Sequence, residues 1–140
     1  MAKSQPFSLR LSPVVEALVS EEAKRTHRSK GAVVEALAAE ALKTRLFPGI
    51  AFRGIDWERR AWVIGTALDI WQIVDAYRDF DSVERMVAET DLSERQIRLA
   101  LAYSERFPAE IDEVIGRNRQ SIEELRTAYP TIEILSVTTR

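Results

Sequence analysis

Phe7-Ser8-Leu9-Arg10-Leu11-Ser12-Pro13 is the stretch whose reading decides the fold. Phe7, Leu9 and Leu11 alternate with Ser8 and Arg10, which is the period-two pattern of a strand with one apolar and one polar face. Ser12 then offers its side-chain oxygen to a free N–H of a first helical turn. Pro13 fits the first helical position, where its missing N–H costs nothing. A helix is therefore expected from Pro13. No second strand lies nearby in sequence to pair with residues 7–11, so the expected partner is the same strand of a second copy, forming an intermolecular two-stranded ribbon.

Downstream, Val15, Leu18, Val19 and Ala23 recur at helical spacing, while Glu16, Lys24 and Arg25 fall on the polar side. The helix should end at Thr26-His27. His27, the only imidazole in the chain, sits where a positive φ is often needed and reads as a plain helix stop rather than a ligand. Arg28-Ser29-Lys30-Gly31 follows. Ser29 is placed to cap a second helix whose stripe is Val33, Val34, Leu37, Ala38, Ala41 and Leu42. The first-turn amides of that helix, a lysine beside them and a small glycine that permits close approach make a seat for phosphate. The plainer reading is that Ser29 only caps the helix.

Strand, helix, short turn and helix over Gln5 to Phe47 resembles the ribbon-helix-helix family of dimeric bacterial repressors. The resemblance rests on the alternation from Phe7 to Leu11, on Ser12-Pro13, and on Arg28-Ser29-Lys30 opening the second helix, with His27 standing where the family usually has glycine. It implies that two strands pair antiparallel through Phe7, Leu9 and Leu11. It also implies that Ser8 and Arg10 read base edges in the major groove of double-stranded DNA, and that Arg28, Ser29, Lys30 and Gly31 hold a backbone phosphate. Arg10 is the strongest single reader, since a bidentate arginine–guanine contact discriminates by ~1–3 kcal/mol. The other outcome is a domain that dimerises through the ribbon and has no operator.

Charge agrees with that placement. Residues 1–47 hold eight basic side chains against five acidic, a net of +3, and the remainder holds twelve against seventeen, a net of −5. Only the first piece is suited to face a polyanion. A composition of 46% hydrophobic and 30% charged residues is that of a globular chain rather than a disordered one. No apolar run approaches the ~20 residues of a membrane helix, so a cytoplasmic, non-membrane protein is expected. Without cysteine and with one histidine, thiolate chemistry and multi-histidine metal sites are ruled out. Scattered carboxylates such as Asp69, Asp91 and Glu94 read as solvated helix faces. No catalytic residue, metal or cofactor is assigned.

Leu46-Phe47-Pro48-Gly49 breaks the second helix and marks a boundary, giving residues 1–47 as one domain. A second domain is expected over 48–128. It opens with a small hairpin, Ile50–Arg53 and Arg60–Val63, whose loop carries Trp57. An amphipathic helix then runs from Ile70 to Phe80. Two further helices follow, the second opened by a Ser93–Gln96 capping box, and a last helix starts at Pro108, where Gly116 is expected to bend or divide it. Val83, Met86 and Val87, then Ile111, Val114, Ile115, Ile122 and Leu125, mark the inward positions. Trp62 and Trp71 read as core, and Trp57 as core-independent and able to anchor a partner. The tail, 129–140, alternates like an edge strand and either packs on the hairpin or adds to a partner. The expected fold class is thus mainly α: a ribbon-helix-helix domain, then a β-hairpin and helical domain with a helix-turn-helix-like pair.

Arg95, Gln96 and Arg98 on that pair have the types of base readers, but residues 79–106 carry four arginines against seven acids, a poor surface for DNA. Val63 to Trp71, Asp91 to Ile97 and Ala100 to Tyr103 resemble the domain of unknown function 433 family, over about Val63 to Asn118. That resemblance implies an antitoxin-like protein acting beside a PIN-like ribonuclease toxin. The leading expectation is a bacterial type II antitoxin that autoregulates its promoter through a ribbon-helix-helix homodimer, or a higher even oligomer, and neutralises the toxin with its C-terminal part. The alternative is a stand-alone transcriptional regulator whose second domain mediates oligomerisation.

Overall fold

A computed structural model describes residues 4–128, 130 and 131. The molecule is mainly helical, with one two-stranded antiparallel sheet. Its order is α1 (Pro13–Thr26), α2 (Lys30–Leu46), β1 (Ile50–Arg53), a 3-10 turn (Asp56–Glu58), β2 (Arg60–Val63), α3 (Ile70–Phe80), α4 (Val83–Glu89), α5 (Glu94–Arg106) and α6 (Pro108–Ala128). Two compact units part between Lys43 and Thr44.

In the first unit, local chemistry sets the helix ends. The Val15 N–H donates to Ser12 Oγ at 3.4 Å, with Pro13 in the first turn. α1 stops because His27 takes φ 54° and ψ 39°, a left-handed conformation that lets the Arg28 N–H reach back to Ala23 O at 3.0 Å. Ser29 Oγ accepts from the Ala32 N–H at 3.1 Å and so caps α2. The unit's buried core is small: Val19, Ala23 and Val33, with Leu11 and Val34 packed against them. Most of the apolar stripe read from the sequence lies outside it. Val15, Leu18, Leu37 and Leu42 are all exposed in the single chain.

The second unit carries the larger core. β1 and β2 pair with Ile50 opposite Val63 and Phe52 opposite Ala61, so one face of the hairpin buries Ile50, Ala61 and Val63 against the helices. Arg53 ties the hairpin to α3. Its guanidinium lies 4.7 Å from the Trp62 ring centroid, its Nε donates to Asp69 Oδ1 at 2.9 Å, and its Nη2 donates to Ala67 O at 2.8 Å. α3 contributes Ile70, Ile73 and Val74 to the core, α4 Val83 and Met86, α5 Ile97, Ala100 and Tyr103, and α6 Ile111 and Ile115. The Tyr103 ring sits between Phe47 and Phe107, with centroids at 5.3 and 5.0 Å, and its hydroxyl donates to Glu110 Oε2 at 2.8 Å.

The Ser93–Gln96 capping box is present in both directions, with Ser93 N–H to Gln96 Oε1 at 2.9 Å and Gln96 N–H to Ser93 Oγ at 3.2 Å. Two details differ from the sequence reading. α6 runs unbroken through Gly116, since one glycine costs a helix only about 1 kcal/mol, and exposed ion pairs to α3 flank it, Arg78–Asp112 at 2.8 Å and Arg119–Asp75 at 3.1 Å. Leu125, expected to point inward, is exposed, as is Val87. Trp62 and Trp71 are half-buried, and Trp71 packs against the core. The alternating segment from Ile132 and the Ile122 side chain lie outside the described residues. No helix among the described residues is long and apolar enough to cross a membrane.

Candidate nucleic-acid interface

Among the described residues, the segment Ser4–Leu11 carries no helix, turn or strand pairing. Its apolar side chains are not hidden: Phe7 is 84% and Leu9 59% exposed, and only Leu11 is half-buried, against the α1–α2 core. Ser8 and Arg10 are exposed, and neither makes a side-chain hydrogen bond or ion pair among the described residues. The alternation therefore places two apolar and two polar side chains on a segment whose backbone is still unpaired.

Arg28, Ser29, Lys30 and Gly31 come together at the turn between α1 and α2. Ser29 Oγ and O are engaged by the N–H groups of Ala32 and Val33. The amides of Lys30 and Gly31, at the first two helical positions, have no acceptor within a helix. They point where anions are favoured by the aligned peptide dipoles. A Cβ added at Gly31 would meet nothing within 4 Å, so the fold has no need of glycine at that helical position. Arg28 Nε donates to Thr26 Oγ1 at 3.2 Å, which steadies the turn, while buried Thr26 donates the same hydroxyl to Glu22 O at 2.7 Å.

Lys30 is not idle, and its partner has no signature in the spacing of residues. Its Nζ lies 2.8 Å from Glu16 Oε1, one turn into α1. Both side chains are more than half exposed, so the pair is weak and open to competition by a phosphate. Among the described residues no side-chain hydrogen bond or ion pair joins Ser8 or Arg10 to the 28–31 turn. Ser8, Arg10, Ser29, Lys30 and Gly31 are thus all exposed, and Arg28 is half-buried.

The α4–α5 pair is less suited to base reading. Gln96 is spent in the capping box, Arg98 pairs with Glu94 at 2.8 Å and Arg85 faces Glu89 at 3.7 Å. Arg95 is exposed without a side-chain partner among the described residues. Among those residues no group of three or more His, Asp or Glu side chains is placed to hold a metal ion. A half-open cleft of about 630 Å3, which the sequence did not announce, lies in the second unit between the turn after β2 and helices α3 and α4. No family model, no curated protein and no solved structure matches the chain.

Proposed function

We propose that the chain is a homodimeric, sequence-specific DNA-binding protein whose N-terminal unit is a ribbon-helix-helix half. In this reading residues 7–11 of two copies pair antiparallel, Ser8 and Arg10 face base edges, and the 28–31 turn holds a backbone phosphate. One observation carries it: an unpaired alternating segment joined to two helices whose core is too small to stand alone. Units of about 40 residues rarely fold without disulfides, metals or a partner subunit. Here Phe7, Leu9, Val14, Val15, Leu18 and Leu37 are all exposed in the single chain. A second copy supplies both the missing strand and the missing core.

Within that reading the protein acts as an antitoxin, autoregulating its own promoter while its C-terminal part neutralises a PIN-like ribonuclease. The toxin role rests on the resemblance of Val63 to Asn118 read from the sequence. Co-expression with the neighbouring reading frame tests it: the product should co-purify and lose its toxicity, and a neighbour that does not bind removes the toxin from the account. A regulator whose second unit assembles dimers is the second reading, favoured by the exposed Ile55 and Trp57 of the hairpin tip. Both readings assign the chain a binding role rather than an enzymatic one. Sedimentation of the full chain tests the shared core, which requires a dimer.

A further inference from the structure

Thr26, the last residue of α1, is polar yet buried at 2% exposure. Its hydroxyl hydrogen goes to Glu22 O at 2.7 Å, one turn back in the helix. Toward any other group that oxygen can only accept. Arg28 supplies the donor, its Nε–H meeting Thr26 Oγ1 at 3.2 Å. The two residues can meet because His27 between them takes φ 54° and ψ 39°, which folds the chain back on the end of α1. The same reversal brings the Arg28 N–H onto Ala23 O at 3.0 Å. Arg28 is therefore held twice, by its main chain and by the root of its guanidinium.

What remains of Arg28 is a fork. With the Nε–H spent on Thr26, the guanidinium keeps the donors of Nη1 and Nη2, and neither nitrogen has a hydrogen bond or ion pair among the described residues. That edge of an arginine can grip two oxygens of one phosphate side by side, which a lysine ammonium cannot do. Lys30 and Gly31, whose first-turn amides lack helical acceptors, follow within three residues. An arginine already held by its Nε has less side-chain freedom to lose when it closes on an anion. Thr26 itself touches no ligand and acts only through Arg28.

We propose that buried Thr26 is a positioning residue for DNA binding: its hydroxyl orients Arg28 so that Nη1 and Nη2 meet the backbone phosphate held at the 28–31 turn. The proposal rests on the DNA-binding reading above and adds to it a residue two positions outside that turn.

Full-length wild type, Thr26→Val, Thr26→Ser, Arg28→Ala and the Thr26→Val/Arg28→Ala double variant are titrated against a fluorescent duplex across a range of salt. Thr26→Val keeps the shape and the cation but not the hydroxyl, so affinity should fall roughly three- to tenfold, the freedom of one long side chain, with the salt slope unchanged. Arg28→Ala should weaken binding and make the slope shallower by about one phosphate contact. In the Arg28→Ala background Thr26→Val should change affinity by less than about twofold, because the two act as one unit. Thr26→Ser should restore wild-type affinity. In the free protein, nuclear magnetic resonance should find the Arg28 side-chain Nε–H protected from exchange in wild type and Thr26→Ser, and unprotected in Thr26→Val. Equal losses of affinity from Thr26→Val with and without Arg28 would leave Thr26 a stability role alone and overturn the proposal, as would an Nε–H signal indifferent to Thr26→Val. Either result leaves DNA binding standing. A wild-type chain that binds no duplex removes the DNA reading itself, and the phosphate role of Arg28 with it.

Discussion

Lys30 Nζ lies 2.8 Å from Glu16 Oε1, and this ion pair places a carboxylate beside the seat where a phosphate is expected. On the proposed reading Glu16 is a stand-in anion on the free protein. Replacing it removes a competitor: Glu16→Gln should tighten binding to any duplex, with little change in melting temperature, because exposed pairs contribute ~0–1 kcal/mol. Lys30→Ala should do the opposite, weakening specific and non-specific binding alike and flattening the salt dependence by about one phosphate contact. Salt titrations of fluorescence anisotropy on both variants decide the matter. Unchanged DNA affinity in Lys30→Ala would remove the clamp.

Gly31 separates a structural role from a binding one. With open space at its Cβ, Gly31→Ala should raise stability by about 0.5–1 kcal/mol through helix propensity. The added methyl crowds the approach of a phosphate oxygen to the Lys30 and Gly31 amides, so DNA affinity should fall. Denaturant melts and anisotropy on the same preparation give the two numbers. A variant that is more stable and binds DNA as well as before would show that Ser29 only caps the helix.

Phe7 and Leu9 should matter only between chains. Leu9→Asp removes no buried contact within one copy, but it puts a charge on the apolar face of the ribbon. Sedimentation equilibrium should show loss of the N-terminal association, and circular dichroism should show reduced helix from α1 and α2, while the larger core of the second unit stays folded. A Leu9→Asp chain with unchanged assembly and helix content would mean that residues 7–11 are not the dimer contact.

Tyr103 sets an alkaline limit on the second unit. Burial first, then its hydrogen bond to Glu110 and that carboxylate's charge, raise its hydroxyl pKa above the ordinary value of 10.0. The unfolded chain therefore releases this proton at lower pH than the folded one. Stability is complete below about pH 10 and falls as pH climbs further. Tyr103→Phe should lose about 1–2 kcal/mol near neutrality with the hydrogen bond. It should also flatten the decline above pH 10, which thermal melts across pH 8 to 11 would reveal.

Local signals in the sequence were sufficient wherever a residue acts on its immediate neighbours. Ser12, Pro13, His27 and Ser29 set the ends of α1 and α2, the runs around Trp57 gave both strands of the hairpin, and the Ser93–Gln96 spacing gave the start of α5. Features that depend on a distant group were not readable. Nothing in the spacing of Glu16 and Lys30 announces that they meet, because the meeting depends on how α1 turns back at His27. Propensity alone makes Gly116 a place to bend or divide α6, whereas the helix runs on through it, with ion pairs to α3 on either side. The apolar stripes of α1 and α2 were legible as stripes, but a single chain covers only Val19, Ala23 and Val33. The cleft beside α4 arises from three elements and has no linear signature.

Binding of wild-type and Arg10→Ala protein to the upstream promoter duplex and to a scrambled duplex of equal length, at one fixed salt concentration, tests the central claim most directly. Wild-type protein should prefer the promoter, and Arg10→Ala should bind both duplexes alike at close to the wild-type affinity for scrambled DNA. A mutant that keeps the full promoter preference would contradict the ribbon as the reading head.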